Sequence, residues 1–319
     1  MDTQFFLAAN SGRGFVSRYE GFPGEGAFLH ILKGGPGTGK SSFLKRIRSE
    51  AAARGFDTES ILCSGDPDSL DGLSIPALGL AWADGTAPHA LEPTAFGMDA
   101  DYVNLGRFCR PLGEAARAKV GELNRAYKAR YRDAYALLRA ALALEEAGSR
   151  PVTETEQAAA EESVRQRLTA YPETDGERGR RSTRFLSAIS CRGLLRLDAT
   201  EEMLCKQMLP LPGGPAALER AAEFSAERGL RVICCPRPLN PDELEAVLLP
   251  EAGLGFFSPE KEGPESALRD AVLRRAVERL QKAKRLHDEL EAAYRPFVDF
   301  AALTAFTEDY LRSLFGAKA

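Results

Sequence analysis

No apolar run in this 319-residue chain approaches the roughly 20 residues that a bilayer-spanning helix requires. The opening stretch MDTQFFLAAN lacks the basic segment and long apolar core of an export signal. An excess of positive charge is also missing. Net charge is −4 at pH 7, which argues against a nucleic-acid-binding surface. The six cysteines, at positions 63, 109, 191, 205, 234 and 235, follow no zinc-ligand spacing. In an unexported chain they are expected to stay reduced, with the adjacent Cys234 and Cys235 read as buried strand residues. Composition excludes disorder, because 44% hydrophobic and 28% charged residues are values of a folded chain. The length suffices for two domains, each with its own core. The expectation is a cytoplasmic globular protein that uses neither a membrane nor a nucleic acid.

One motif dominates what is present. Gly34-Gly35-Pro36-Gly37-Thr38-Gly39-Lys40-Ser41 satisfies the P-loop pattern of Gly, four residues and Gly-Lys-Ser/Thr, and Ser42 follows it into a helix. Glycines open backbone conformations closed to other residues, and the loop's N–H groups then form an anion-binding nest. Lys40 is expected at the β- and γ-phosphates of a nucleotide and Ser41 on Mg²⁺. The apolar run 27–32 predicts a buried strand before the loop. Residues 42–53 predict a helix after it, with Gly55 as its stop. A second apolar strand, 78–84, ends in Asp84, a Walker B-like acid expected to hold Mg²⁺ opposite Ser41. Gly85 stands where many such sites carry a water-activating Glu, so the general base has no evident holder. No guanine-reading NKxD-type motif is present, which leaves ATP as the default nucleotide.

Two further segments fall where such folds place working loops, beyond the carboxyl ends of strands. Residues 64–72 follow a strand expected at 58–63 and carry Asp66, Asp68 and Asp71. These carboxylates would orient water, metal or a second substrate, or merely close a turn. His89 follows Asp84 and would sense the γ-phosphate or serve as a structural hydrogen-bonder.

The chain also repeats itself. Residues 3–15 and 182–194 match at six of 13 positions at an offset of 179, among them Arg13 with Arg192. The same offset lays Gly34-Gly35-Pro36 on Gly213-Gly214-Pro215. From Leu44 with Leu218 onward the offset is 174, which aligns Asp84 with Ser258. On this alignment the second copy lacks residues 37–41. The reading is an α/β fold of the P-loop NTPase three-layer type, tandemly duplicated, with one surviving nucleotide site. Expected boundaries are a first domain at 1–150, a linker at 151–181 holding a short helix at 154–168, and a degenerate domain at 182–319. Apolar periodicity predicts long helices at 114–147 and 264–294. They would project as arms available to a protein partner, or pair with each other. Arg13 and Arg192 would hold turns through local carboxylates or, for Arg192 above all, reach the γ-phosphate as an arginine finger.

Taken together, these motifs resemble an uncharacterised bacterial family of tandem P-loop ATPases. The residues that carry the resemblance are Gly34–Ser41, Cys63–Gly72, Asp84–His89 and the segment 102–106. The resemblance implies ATP binding and ATPase activity with Mg²⁺, and supplies no physiological substrate. Two other classes stay open beside an ATP hydrolase: a nucleotide or small-molecule kinase, and a nucleotide-dependent scaffold with little turnover.

Overall fold

The computed structural model describes residues 1–24, 26–88, 91–148, 152–169, 171, 177–259 and 265–316. The first part of the chain holds the short strands β1 (Asp2–Phe6), β2 (Ala8–Ser11) and β3 (Gly14–Ser17) and the mainly apolar β4 (Phe28–Lys33). The helix α1 (Lys40–Ala53) leads on to β5 (Thr58–Leu62), β6 (Leu70–Ile75), β7 (Leu80–Asp84) and β8 (Ala100–Asn104). Two helices follow, α2 (Glu114–Gly148) and α3 (Glu154–Leu168). The second part holds β9 (Arg181–Thr183), β10 (Ser187–Ser190), β11 (Gly193–Arg196), α4 (Asp198–Leu204) and β12 (Gln207–Pro210). It continues with α5 (Gly214–Glu227), β13 (Val232–Pro236), β14 (Leu244–Leu249) and β15 (Leu254–Phe257), and ends with α6 (Ser266–Tyr294) and α7 (Phe300–Gly316). No described helix is long and apolar enough to cross a membrane.

Two compact units result, and they do not follow the expected boundaries at 150 and 182. The first comprises Met1–Gln4, Phe22–Asp133 and Glu278–Ala319. The second comprises Phe5–Gly21 and Ala134–Val277. Residues 278–319 therefore join the first unit, because α7 is apolar along one side. Leu303, Phe306 and Tyr310 pack into the core that Phe43, Leu44 and Ile47 of α1 build with Leu73 and Trp82. The stretch expected as a linker is also structural. Its helix α3 has the predicted bounds, but Ala160, Val164 and Leu168 are buried with Leu218 and Ala221 of α5. Burying that apolar stripe is worth roughly 25 cal/mol per Å², a gain that a solvated linker forgoes.

The helices expected as arms pair with each other. In the first unit Tyr127 of α2 meets His287 of α6, with ring centroids 5.6 Å apart. In the second, Arg269 of α6 reaches Glu145 of α2 at 3.3 Å.

The sheets of the two units share one plan. The first runs β1-β5-β6-β7-β4-β8 and the second β12-β15-β14-β13-β9. β4 is parallel to β7 as β12 is to β15, while β6 and β14 are each antiparallel to both neighbours. Two hairpins of the second unit match as well. Ser11 accepts from the N–H of Arg13 and donates to the carbonyl of Gly14, and Ser190 does the same with Arg192 and Gly193. Phe6 and Phe185 exchange both backbone hydrogen bonds, at 3.0 and 2.8 Å. Cys234 and Cys235 lie buried in β13, and all six cysteines are free thiols.

Candidate functional site

β4 delivers the chain to the loop that begins at Gly34, and α1 takes over at Lys40. Gly39 caps the helix in the left-handed conformation (φ 87°) with no side-chain cap, so the first N–H groups of α1 are offered at the loop. Gly37 is also left-handed, at φ 70°. A Cβ there would stand 3.1 Å from the carbonyl oxygen of Glu291 on α6, so glycine is favoured by tight packing as well as by conformation. Leu303 of α7 closes on Gly39 in the same way. Neither contact is signalled by the loop's own sequence.

Within the loop Thr38 is buried and donates from Oγ1 to the carbonyl of Gly35 at 2.8 Å. Lys40 Nζ donates to the carbonyls of Gly34 and Gly35 at 2.7 and 3.0 Å. It also lies 3.6 Å from Asp84 Oδ2. Asp84 stands beside the loop because β7 is parallel to β4, with Leu32 opposite Asp84. Burial raises the proton affinity of its carboxyl, and the charge of Lys40 and hydrogen bonds from Thr86 offset part of that. Ser41 Oγ accepts from the N–H of Leu70 at 3.0 Å, and the adjacent Ser42 is exposed. Lys40, Ser41 and Asp84 therefore gather at one helix head. That set offers an ammonium and backbone N–H donors to an anion, and a hydroxyl and a largely buried carboxylate to a hard cation.

The remaining candidates separate. Asp66 closes its own loop by accepting from Ser69 Oγ at 2.9 Å, and it pairs with Lys284 of α6 at 3.5 Å. Asp71 and Gly72, read as loop residues, lie in strand β6, where Asp71 is only 8% exposed. His89 lies outside the described residues. Arg13 belongs to the second unit, where Glu146 and Asp242 hold it at 3.0 and 3.3 Å. Arg192 sits in the matching turn of that unit. The loop 34–41 belongs to the first.

The second unit shows what stands at the corresponding place. Phe28 pairs with Leu80 and Gln207 with Leu254, so the 179 offset holds through β4 and β12. Gly213 caps α5 in the left-handed conformation (φ 108°), as Gly39 caps α1, so the 174 offset applies from there. The residues with no counterpart are thus 34–38, not 37–41 as the sequence alignment placed them. At the positions that match Lys40 and Ser41 the second unit carries Gly214 and Pro215. A cavity of 1130 Å³ opens there, lined by Gly214, Pro215, Glu219 and Ser258 among others.

Comparison with protein-family models, with curated proteins and with solved structures found no match to this chain.

Proposed function

We propose that the first unit binds one nucleoside triphosphate, with ATP as the default, and hydrolyses it with Mg²⁺. The observation that carries this reading is the convergence of Lys40, Ser41 and Asp84 at the uncapped head of α1. In that reading the N–H groups of residues 37–42 hold the phosphates, and Lys40 leaves the carbonyls of Gly34 and Gly35 for the β/γ oxygens. Ser41 and Asp84 are the residues that would hold Mg²⁺, which neutralises charge on the phosphoryl group in flight. The largely buried Asp84 carboxyl fits that duty, because a divalent cation offsets the cost of keeping it ionised.

The same reading takes the chain as a tandem P-loop protein related to the bacterial family it resembles. The shared strand order, the matched hairpins and the paired caps Gly39 and Gly213 support it. The second unit is then a nucleotide-incompetent copy, having lost the cradle 34–38 together with the Lys, Ser and Asp positions.

Calorimetry with ATP and Mg²⁺ tests the stoichiometry, for which one site per chain is expected. A nucleotide panel scored for phosphate release, with pooled nucleosides and metabolites as acceptors, tests the reaction. Release from ATP alone supports hydrolysis. A strict need for an acceptor points to a kinase, and tight binding without turnover to a scaffold.

A further inference from the structure

Strand β6 brings a second carboxylate to the site. Its register pairs Leu73 with Trp82 and Gly72 with Ala83 of β7, so Asp71 and Asp84 are the next residues of the two strands beyond that last pair. On its other side β5 pairs Ile61 with Gly72 and Leu62 with Leu70, so Asp71 is the extra residue of a bulge. Bulges re-aim a side chain and are frequent beside active sites. The preceding residue, Leu70, donates to Ser41 Oγ, which ties the start of β6 to the head of α1. Asp71 is buried and hydrogen-bonded with the Cys63 thiol, and its charge acts on Asp84. Gly85 follows Asp84 on β7, so that strand supplies no further carboxylate.

We propose that Asp71 is the residue that holds the attacking water for nucleotide hydrolysis, entering the site from the strand beside Asp84. The inference rests on the nucleotide-hydrolase reading above. The Asp71 carboxylate accepts a hydrogen bond from the water and so aims its oxygen at the γ-phosphorus. A bond forms between that oxygen and the γ-phosphorus. The bond from the γ-phosphorus to the bridging oxygen breaks, and its electron pair leaves on the diphosphate. One water proton passes to the released phosphate. No other reactant is required.

The second unit supplies the contrast. Glu245 is the bulged residue between the pairs Cys235–Ala246 and Pro236–Leu244. It accepts from Ser187 Oγ at 2.8 Å and lies 3.7 Å from Arg196, while Ser258 replaces the partner acid. A carboxylate persists at the bulge where the cradle does not, and there it serves an ion pair.

The test compares full-length Asp71→Asn, which keeps the shape, and Asp71→Glu with the wild type and Lys40→Ala. Asp71→Asn is expected to lower kcat at least a hundredfold with the Kd for Mg·ATP held within threefold. Asp71→Glu is expected to recover part of kcat. Mg·ADP should still bind beryllium fluoride, and should lose at least tenfold affinity for aluminium fluoride, whose planar complex carries the attacking water. Near-normal turnover in Asp71→Asn, with Lys40→Ala inactive, overturns this inference and leaves the hydrolase reading intact. Equal loss of both fluoride complexes and of Mg·ATP shows a structural role and also overturns it. A wild type without turnover, or Lys40→Ala as active as the wild type, overturns the hydrolase reading and this inference with it.

Discussion

Helices α1 and α5 begin alike and then diverge in chemistry. Each follows a left-handed glycine, Gly39 or Gly213, and each leaves its head without a side-chain cap. After that cap α1 carries Lys40, Ser41 and Ser42, whereas α5 carries Gly214, Pro215 and Ala216. The neighbouring parallel strand ends in Asp84 in one unit and at Phe257, just before Ser258, in the other. The sheet-and-helix frame therefore forms with or without the loop. The frame is held by burial, with Leu44 and Leu218 both at 0% exposure in their cores. A five-residue cradle of glycines, proline and threonine adds little to that, because its groups serve conformation more than apolar area.

The largest expected effect probes that shared frame. Leu44→Ala and Leu218→Ala should each cost about 2–5 kcal/mol in urea unfolding, as fully buried leucines do. Only Leu44→Ala should also weaken nucleotide binding. Loss of nucleotide from both variants would break the contrast between the units.

Lys40→Ala comes next. Removing its charge should weaken triphosphate binding or turnover at least tenfold, about 1.4 kcal/mol. Gly214→Lys in the second unit should create no site, since the cradle is absent there. A second binding event in its calorimetric trace would show that the Lys alone made the difference.

Asp84→Asn separates function from stability. Its carboxyl has a raised proton affinity from burial, so the folded protein binds more protons than the unfolded chain just above the ordinary Asp range. The metal-free protein should therefore gain stability from Asp84 as pH falls through that window and lose it as pH rises. Asp84→Asn should flatten this slope, raise the metal-free melting temperature at neutral pH, and blunt the Mg²⁺ titration. An unchanged Mg²⁺ titration would mark Asp84 as structural. The smallest effect belongs to Arg13→Ala. Its partners Glu146 and Asp242 are about half-exposed or more, and the loss should stay below about 1 kcal/mol by chemical denaturation. A severalfold fall in turnover at unchanged stability would instead revive the arginine-finger role.

The loop and its flanks were legible because their signals are local. Apolar residues 27–32 and 78–84, the glycines and the Lys-Ser pair each restrict a few neighbouring residues, and β4, α1 and β7 follow from them. The helix 154–168 was legible for the same reason, since Thr153 and Glu156 form a reciprocal cap. Its burial was not, because a polar composition hides a narrow stripe of Ala160, Val164 and Leu168. The matched residues were visible in the sequence, but the place where the offset changes from 179 to 174 was not. Gly34-Gly35-Pro36 and Gly213-Gly214-Pro215 align by letter, while strand register and the left-handed caps align Gly213 with Gly39.

From the residues alone came an α/β chain with one glycine-rich loop between a strand and a helix, a strand ending in Asp84, and two stretches, 3–15 and 182–194, with matching residues. Those features rest on backbone freedom, apolar periodicity and residue identity, all of which act within a few positions along the chain. Tertiary structure alone decided that residues 278–319 belong with the loop and residues 5–21 with the other unit. It also decided that Glu291 and Leu303 press on Gly37 and Gly39, and that Asp71, the bulged residue of β6, and Asp84 follow directly on the last pair of β6 and β7. These outcomes come from burial and strand register between segments far apart in sequence, and the strength of such contacts depends on which surfaces meet.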